Sequence, residues 1–185
     1  YGGAVALRLA LDYPELVTGL VLLAPVTHDW GGGGEAWYNQ LAGPPVIGPI
    51  FSQFAPIAGP AQVKAGIDGV FDPREAPEGY YEDAATGLLF RPKEFRANAD
   101  DVNALRRELA DQQDRYPQID KPVILFSGAK DTVINPSLHA GKIKHQVEDF
   151  ELVKLPDTGH MPHHAHDADV AEAVRKLAGE DDQSS

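Results

Sequence analysis

Three short apolar runs, far apart in the chain and each bounded by turn residues, constrain this 185-residue sequence more than any other feature. They are Thr18–Pro25 (TGLVLLAP), Val123–Phe126 (VILF) and Phe150–Leu155 (FELVKL). The first two are continuously apolar and too short for a buried helix, so they read as parallel strands covered on both faces. The third alternates apolar and polar residues, as a strand with one more exposed face does. Helical patterns separate them. Ala4–Tyr13 mixes Val, Leu and Ala on nearly every face and stops before Pro14. Further helices are predicted over Ser137–Val147 and Asp167–Leu177. Strands alternating with helices give an α/β class with a parallel sheet of about three strands.

From His28 to about Tyr116 the texture changes. Gly and Pro become dense (Gly43-Pro44-Pro45, Gly48-Pro49, Gly59-Pro60) and aromatics are scattered among them. Short helices broken by turns are predicted here, with one more regular helix from about Asp100 to Gln113. The organisation that follows is a core from residues 1–29 and 117–178, a helical insertion over 30–116, and a polar tail over 179–185 read as disordered.

Composition removes several classes of function. A net charge of −12 does not suit nucleic-acid or anionic-membrane binding, which need clustered Lys and Arg. No apolar run reaches the roughly 18 residues of a membrane span. With no cysteine there is no disulfide, thiol nucleophile or Cys-ligated zinc. None of this assigns a compartment; the cytoplasm is the default.

In open parallel sheets the chemistry gathers at the carboxyl ends of strands. Asp131 lies just beyond the second run, in Ser127-Gly128-Ala129-Lys130-Asp131, and His160 just beyond the third, in Asp157-Thr158-Gly159-His160-Met161-Pro162. Each has a plain alternative, a turn aspartate and a solvated histidine. Together they make a pair with a purpose: an imidazole takes the proton of a hydroxyl nucleophile, and a carboxylate on its other nitrogen fixes the tautomer. The cluster His160, His163, His164, His166, Asp167 and Asp169 raises a metal site, but Pro162 interrupts any shared helical face, and no metal is assigned.

The opening Tyr1-Gly2-Gly3-Ala4-Val5-Ala6 resembles the second half of the nucleophile elbow of α/β-hydrolases. Tyr13-Pro14-Glu15 running into Gly19–Ala24 resembles that family's passage into its sixth strand, and the Asp131 and Gly159-His160 loops look like its acid and histidine loops. The order of acid then histidine is also the family's. The resemblance implies a partial α/β-hydrolase fold, a parallel half-sheet with flanking helices and a helical cap insertion. It further implies a nucleophile, serine by preference, directly before Tyr1. Asp131 would then be the acid, His160 the base and the Tyr1 N–H half of the oxyanion hole, with His28 and Met161 near the substrate pocket. Acyl-ester hydrolysis of a small apolar substrate without a cofactor follows.

His28-Asp29-Trp30-Gly31-Gly32 resembles the aspartate elbow of epoxide hydrolases and haloalkane dehalogenases, but Gly31–Gly34 is a poor helix start and Asp29 is read as a loop residue. The alternatives are an enzyme of that aspartate type with its nucleophile before Tyr1, and a non-catalytic binding remnant. A chain beginning after its nucleophile is expected to show no turnover by itself, and to self-associate through the bare edge of its first strand.

Overall fold

The computed structural model describes residues 1–31 and 37–179. Gly32–Gly34 of the predicted poor helix start, and the polar tail from residue 180 onward, lie outside the described residues. The chain divides into two compact units, the first from residues 1–28, 70–74 and 109 onward, the second from residues 29–69 and 75–108.

The first unit is built on a sheet of three parallel strands, β1 (Leu20–Leu23), β2 (Val123–Gly128) and β3 (Phe150–Leu155), in the order β1-β2-β3. Leu20 stands beside Val123, and Val123 beside Phe150. Strand periodicity then sorts the side chains. Leu20, Leu22, Val123 and Leu125 face one layer, where they meet Leu7 and Ala10 of α1 (Gly2–Asp12) and Ile143 of α7 (Ala140–Ile143). Ile124, Phe126 and Leu155 face the other, where they meet Ala173 of α9 (Asp167–Ala178), the helix that follows the single turn of α8 (Pro162–Ala165). β2 is central and buried at all six positions, which is why it contains no charged residue. Each such Leu, Ile or Val contributes roughly 1.5–3 kcal/mol of burial.

Two predicted elements are shorter than their patterns suggest. The first strand ends at Leu23 because Ala24 takes φ 44°, a left-handed conformation that turns the chain off the sheet. The helix predicted over Ser137–Val147 is only the single turn of α7. Asn135 Oδ1 accepts the N–H groups of Ser137 and Leu138 at 2.9 and 3.2 Å, as an N-cap does, but Gly141 donates to the carbonyl of Pro136, five residues back, so the regular four-residue ladder is broken ahead of α7.

The second unit is helical. α2 (Trp37–Ala42), α3 (Ile47–Ser52), α4 (Ala55–Phe71), α5 (Tyr80–Asp83) and α6 (Pro92–Gln112) account for most of it, although α4 and α6 each end in the first unit. Its aromatics pack on one another: the rings of Tyr38 and Phe51 lie 5.8 and 6.3 Å from that of Phe95. α6 starts well before the predicted Asp100, because Pro92 suits the first turn of a helix, where its missing N–H has no bond to lose. Val70–Arg74, in the middle of the sequence predicted as one insertion, belongs to the sheet-containing unit. Among the described residues, no helix is long and apolar enough to cross a membrane.

Candidate active site

Parallel strands deliver their carboxyl ends to the same side, so the loops after β2 and β3 are neighbours by construction. Gly128 lets them touch, and Gly159 lets the second lie against Asp72. A Cβ on Gly128, the last residue of β2, would collide with the carbonyl oxygens of Thr158 and Gly159; one on Gly159 would collide with the carbonyl of Asp72. With those atoms absent, the loops are joined by backbone hydrogen bonds from Ala129 to the carbonyl of Leu155 at 2.9 Å and from Lys130 to that of Thr158 at 3.0 Å. Lys130 Nζ also reaches Asp157 at 3.0 Å, an exposed pair of small value. Replacing Gly128 with Ala should therefore destabilise the protein by at least the ~1–3 kcal/mol typical of overpacking, since the obstacle is backbone and cannot rotate away. Urea denaturation checks this, and an unchanged midpoint would contradict the contact.

This seam brings Asp131 and His160 together. His160 Nδ1 lies 2.9 Å from Asp131 Oδ2. The carboxylate is 2% exposed and the imidazole 24%. Asp131 Oδ1 accepts the N–H groups of Val133 and Ile134, each at 2.8 Å, which locks the carboxylate and leaves Oδ2 for the imidazole. Donation from Nδ1–H to Oδ2 puts the lone pair on Nε2, which makes no hydrogen bond among the described residues. An imidazole so held can receive a proton at Nε2 and be stabilised as an imidazolium.

The other predicted site residues are placed differently. Tyr1 caps the N-terminus of α1, with its carbonyl accepting the N–H of Ala4 at 2.9 Å. Gly3 allows the start of that helix to lie directly against Pro25. Met161 is partly exposed beside His160, and its carbonyl accepts the N–H of His164. His28 is 4% exposed and engaged at both ring nitrogens, Nδ1 with Thr27 Oγ1 at 2.8 Å and Nε2 with Gln146 Oε1 at 2.9 Å. Gln146 Nε2 donates in turn to the carbonyl of Gln113. Asp29 lies in the second unit, where Arg106 at 3.0 Å holds its carboxyl below the usual range.

Sequence reasoning missed a buried imidazole beside this network. His139 is 3% exposed, and its Nδ1 accepts the N–H groups of both Thr27 and His28, at 3.1 and 3.3 Å. Burial, followed by the nearby His28 and Lys142, lowers its pKa to about 4. Tyr116, fully buried, donates its hydroxyl to the carbonyl of Thr27 and accepts from Gln112 at 3.0 Å; burial pushes its pKa up to about 12. The segment after β1 is thus pinned by side chains from three other parts of the unit. The loop carrying His160 is backed by Phe71, whose ring centroid is 5.0 Å from that of His164. The described residues contain no group of three or more His, Asp or Glu arranged to hold a metal ion.

A profile described as the alpha/beta hydrolase family matches residues 1–173. Solved structures with the same fold include MGS-M2, an alpha/beta hydrolase enzyme from a Medee basin deep-sea metagenome library. It is 18% identical, with a TM-score of 0.64, and the match covers 100% of this chain and 64% of that one. A thermophilic esterase from Thermogutta terrifontis is also 18% identical at TM-score 0.64, over 97% of this chain and 62% of that one. A 2-hydroxy-6-oxo-6-phenylhexa-2,4-dienoate hydrolase from Rhodococcus sp. strain RHA1 is 18% identical at TM-score 0.69, over 96% and 60%. The chain spans less than two thirds of the length of these structures. No curated protein matches it.

Proposed function

The chain belongs to the alpha/beta hydrolase family, and from that premise we propose that it forms the acid- and histidine-bearing part of a serine hydrolase acting on a small apolar acyl ester. The observation that carries this reading is the 2.9 Å contact between His160 Nδ1 and the buried Asp131, at the ends of adjacent parallel strands, with Nε2 left unpartnered. In the mechanism, a serine directly before Tyr1 in the whole protein gives its proton to His160 Nε2 and attacks the ester carbonyl. Asp131 holds the imidazolium. The Tyr1 N–H, at the N-terminus of α1, donates to the developing oxyanion, where the helix dipole also favours negative charge. His160 then returns the proton to the leaving alcohol, and water repeats the cycle on the acyl-enzyme. The helical second unit serves as the cap, and no cofactor takes part.

Two supports come from outside the pair. The chain covers 60–64% of hydrolase structures it matches, which leaves room for a nucleophile on a preceding strand. Gly3 against Pro25 provides the close helix-to-sheet packing that an elbow requires. The aspartate-nucleophile alternative uses the same acid and histidine, and differs only in the residue before Tyr1.

The test has two arms. The 185-residue chain alone should release no product from an activated ester; turnover abolished by His160→Ala would place a working nucleophile inside the chain and overturn the assignment. The whole protein should hydrolyse short-chain esters and lose that activity when the residue before Tyr1 is replaced by Ala. Among the described residues, β1 pairs only with β2. We therefore expect the chain alone to self-associate through that edge, and a monodisperse monomer by light scattering would contradict it.

A further inference from the structure

The loop that carries His160 has a side-chain anchor that the proposed mechanism does not use. Thr158, two residues before His160, is 2% exposed. Its carbonyl accepts the Lys130 N–H, and its hydroxyl lies 3.2 Å from His166 Nε2. His166 Nδ1 in turn lies 3.0 Å from Asp169 Oδ2. His166 is the N-cap of α9 and Asp169 stands in that helix's first turn, so the carboxylate reaches back one turn to the ring of the cap residue. Because an aspartate accepts, His166 carries its proton on Nδ1 and presents Nε2 as an acceptor to the Thr158 hydroxyl. The chain Asp169–His166–Thr158 thus repeats the chemistry of a carboxylate, an imidazole and a hydroxyl, but Thr158 is buried and cannot attack a substrate.

We propose that His166, oriented by Asp169, is a positioning residue that holds His160 on Asp131 through Thr158. This rests on reading His160 as the base. The hydroxyl is the only side-chain group that ties the Asp157–Gly159 turn to α9 among the described residues, while the carbonyl of the same residue ties it to the Asp131 loop. Without His166, the Thr158 hydroxyl would be buried and unpaired. The turn would then have reason to shift toward water, and His160, two residues on, would move with it. His163 and His164 are not part of this path; their rings lie 4.6 Å from each other, and His164 packs on Phe71.

The experiment follows the His160 Nδ1–H proton by NMR in the whole protein, where its exchange with water reports the bond to Asp131 without any need for turnover. In His166→Ala that proton should exchange about tenfold faster or vanish, the effect of losing roughly one hydrogen bond's worth of restraint. Thr158→Val, which leaves α9 and its cap intact, should do the same even if the His166 variant folds poorly. His166→Gln, whose amide can still meet the hydroxyl, should restore slow exchange. Unchanged exchange in the two disruptive variants overturns the proposal. So does a change in His166→Ala alone, since the path would then not run through Thr158. If the catalytic reading of His160 were wrong, the whole protein would keep its activity without that imidazole, yet this proton's behaviour would be unaffected, so the two failures are separable.

Discussion

Asp131→Asn in the whole enzyme should lower kcat by about ten-thousand-fold and leave KM nearly unchanged, the signature of an interaction that acts on the transition state. The structure says why an amide, so close in shape, should fail. Oδ1 of Asp131 is committed to the N–H groups of Val133 and Ile134. An asparagine must keep its only oxygen there and turn its NH2 toward His160. The imidazole then has to accept at Nδ1, so its proton moves to Nε2, the nitrogen that the proposed mechanism needs empty to take up the nucleophile's proton. Steady-state kinetics on the variant, with circular dichroism to establish that it is folded, checks this. A loss below tenfold would place the acid elsewhere.

The second large effect is acid instability centred on His139. Its pKa is about 4 in the folded protein, against roughly 6.5 in an unfolded chain. A folded value below the unfolded one means the unfolded state takes up the proton first. Stability from this group is therefore complete above pH 6.5 and is lost as the pH falls toward 4, at up to about 1.4 kcal/mol per pH unit and roughly 3 kcal/mol in all. The first cause is burial, which disfavours the charged ring; Nδ1 also accepts two backbone N–H groups, which it cannot do once protonated. Carboxylates also weaken proteins in acid, so the diagnostic is a comparison. His139→Asn keeps an acceptor without a titrating ring, and its stability measured by urea should fall less steeply between pH 6.5 and 4. Equal slopes in the two proteins would remove His139 from the explanation.

Much of this was readable from residues alone. The three strands and the placement of Asp131 and His160 follow from short apolar runs and from the rule that parallel strands end together, both local or topological signals. What the sequence concealed depends on long-range pairing. His139 sits in a stretch that reads as an ordinary amphipathic helix, and its partners Thr27 and His28 are more than a hundred positions away. His28, in a loop beside a strand end, gives no sign in the sequence of its burial or of its bond to Gln146, more than a hundred positions away. The anchor from His166 to Thr158 adjoins a His-rich run whose composition suggested metal chemistry, and the carboxylate that orients it comes within reach only once the first turn of α9 forms.

The five-residue return of the chain at Val70–Arg74 changes how the helical unit can be exchanged. Its two segments are separated in the sequence by these five residues of the sheet-bearing unit, so they form two cassettes rather than one. A graft that replaced residues 29–108 as one block would discard Phe71 and the Asp72 carbonyl that back the His160 loop. Substitution of either segment alone would keep that backing and leave the contact between Asp131 and His160 in place.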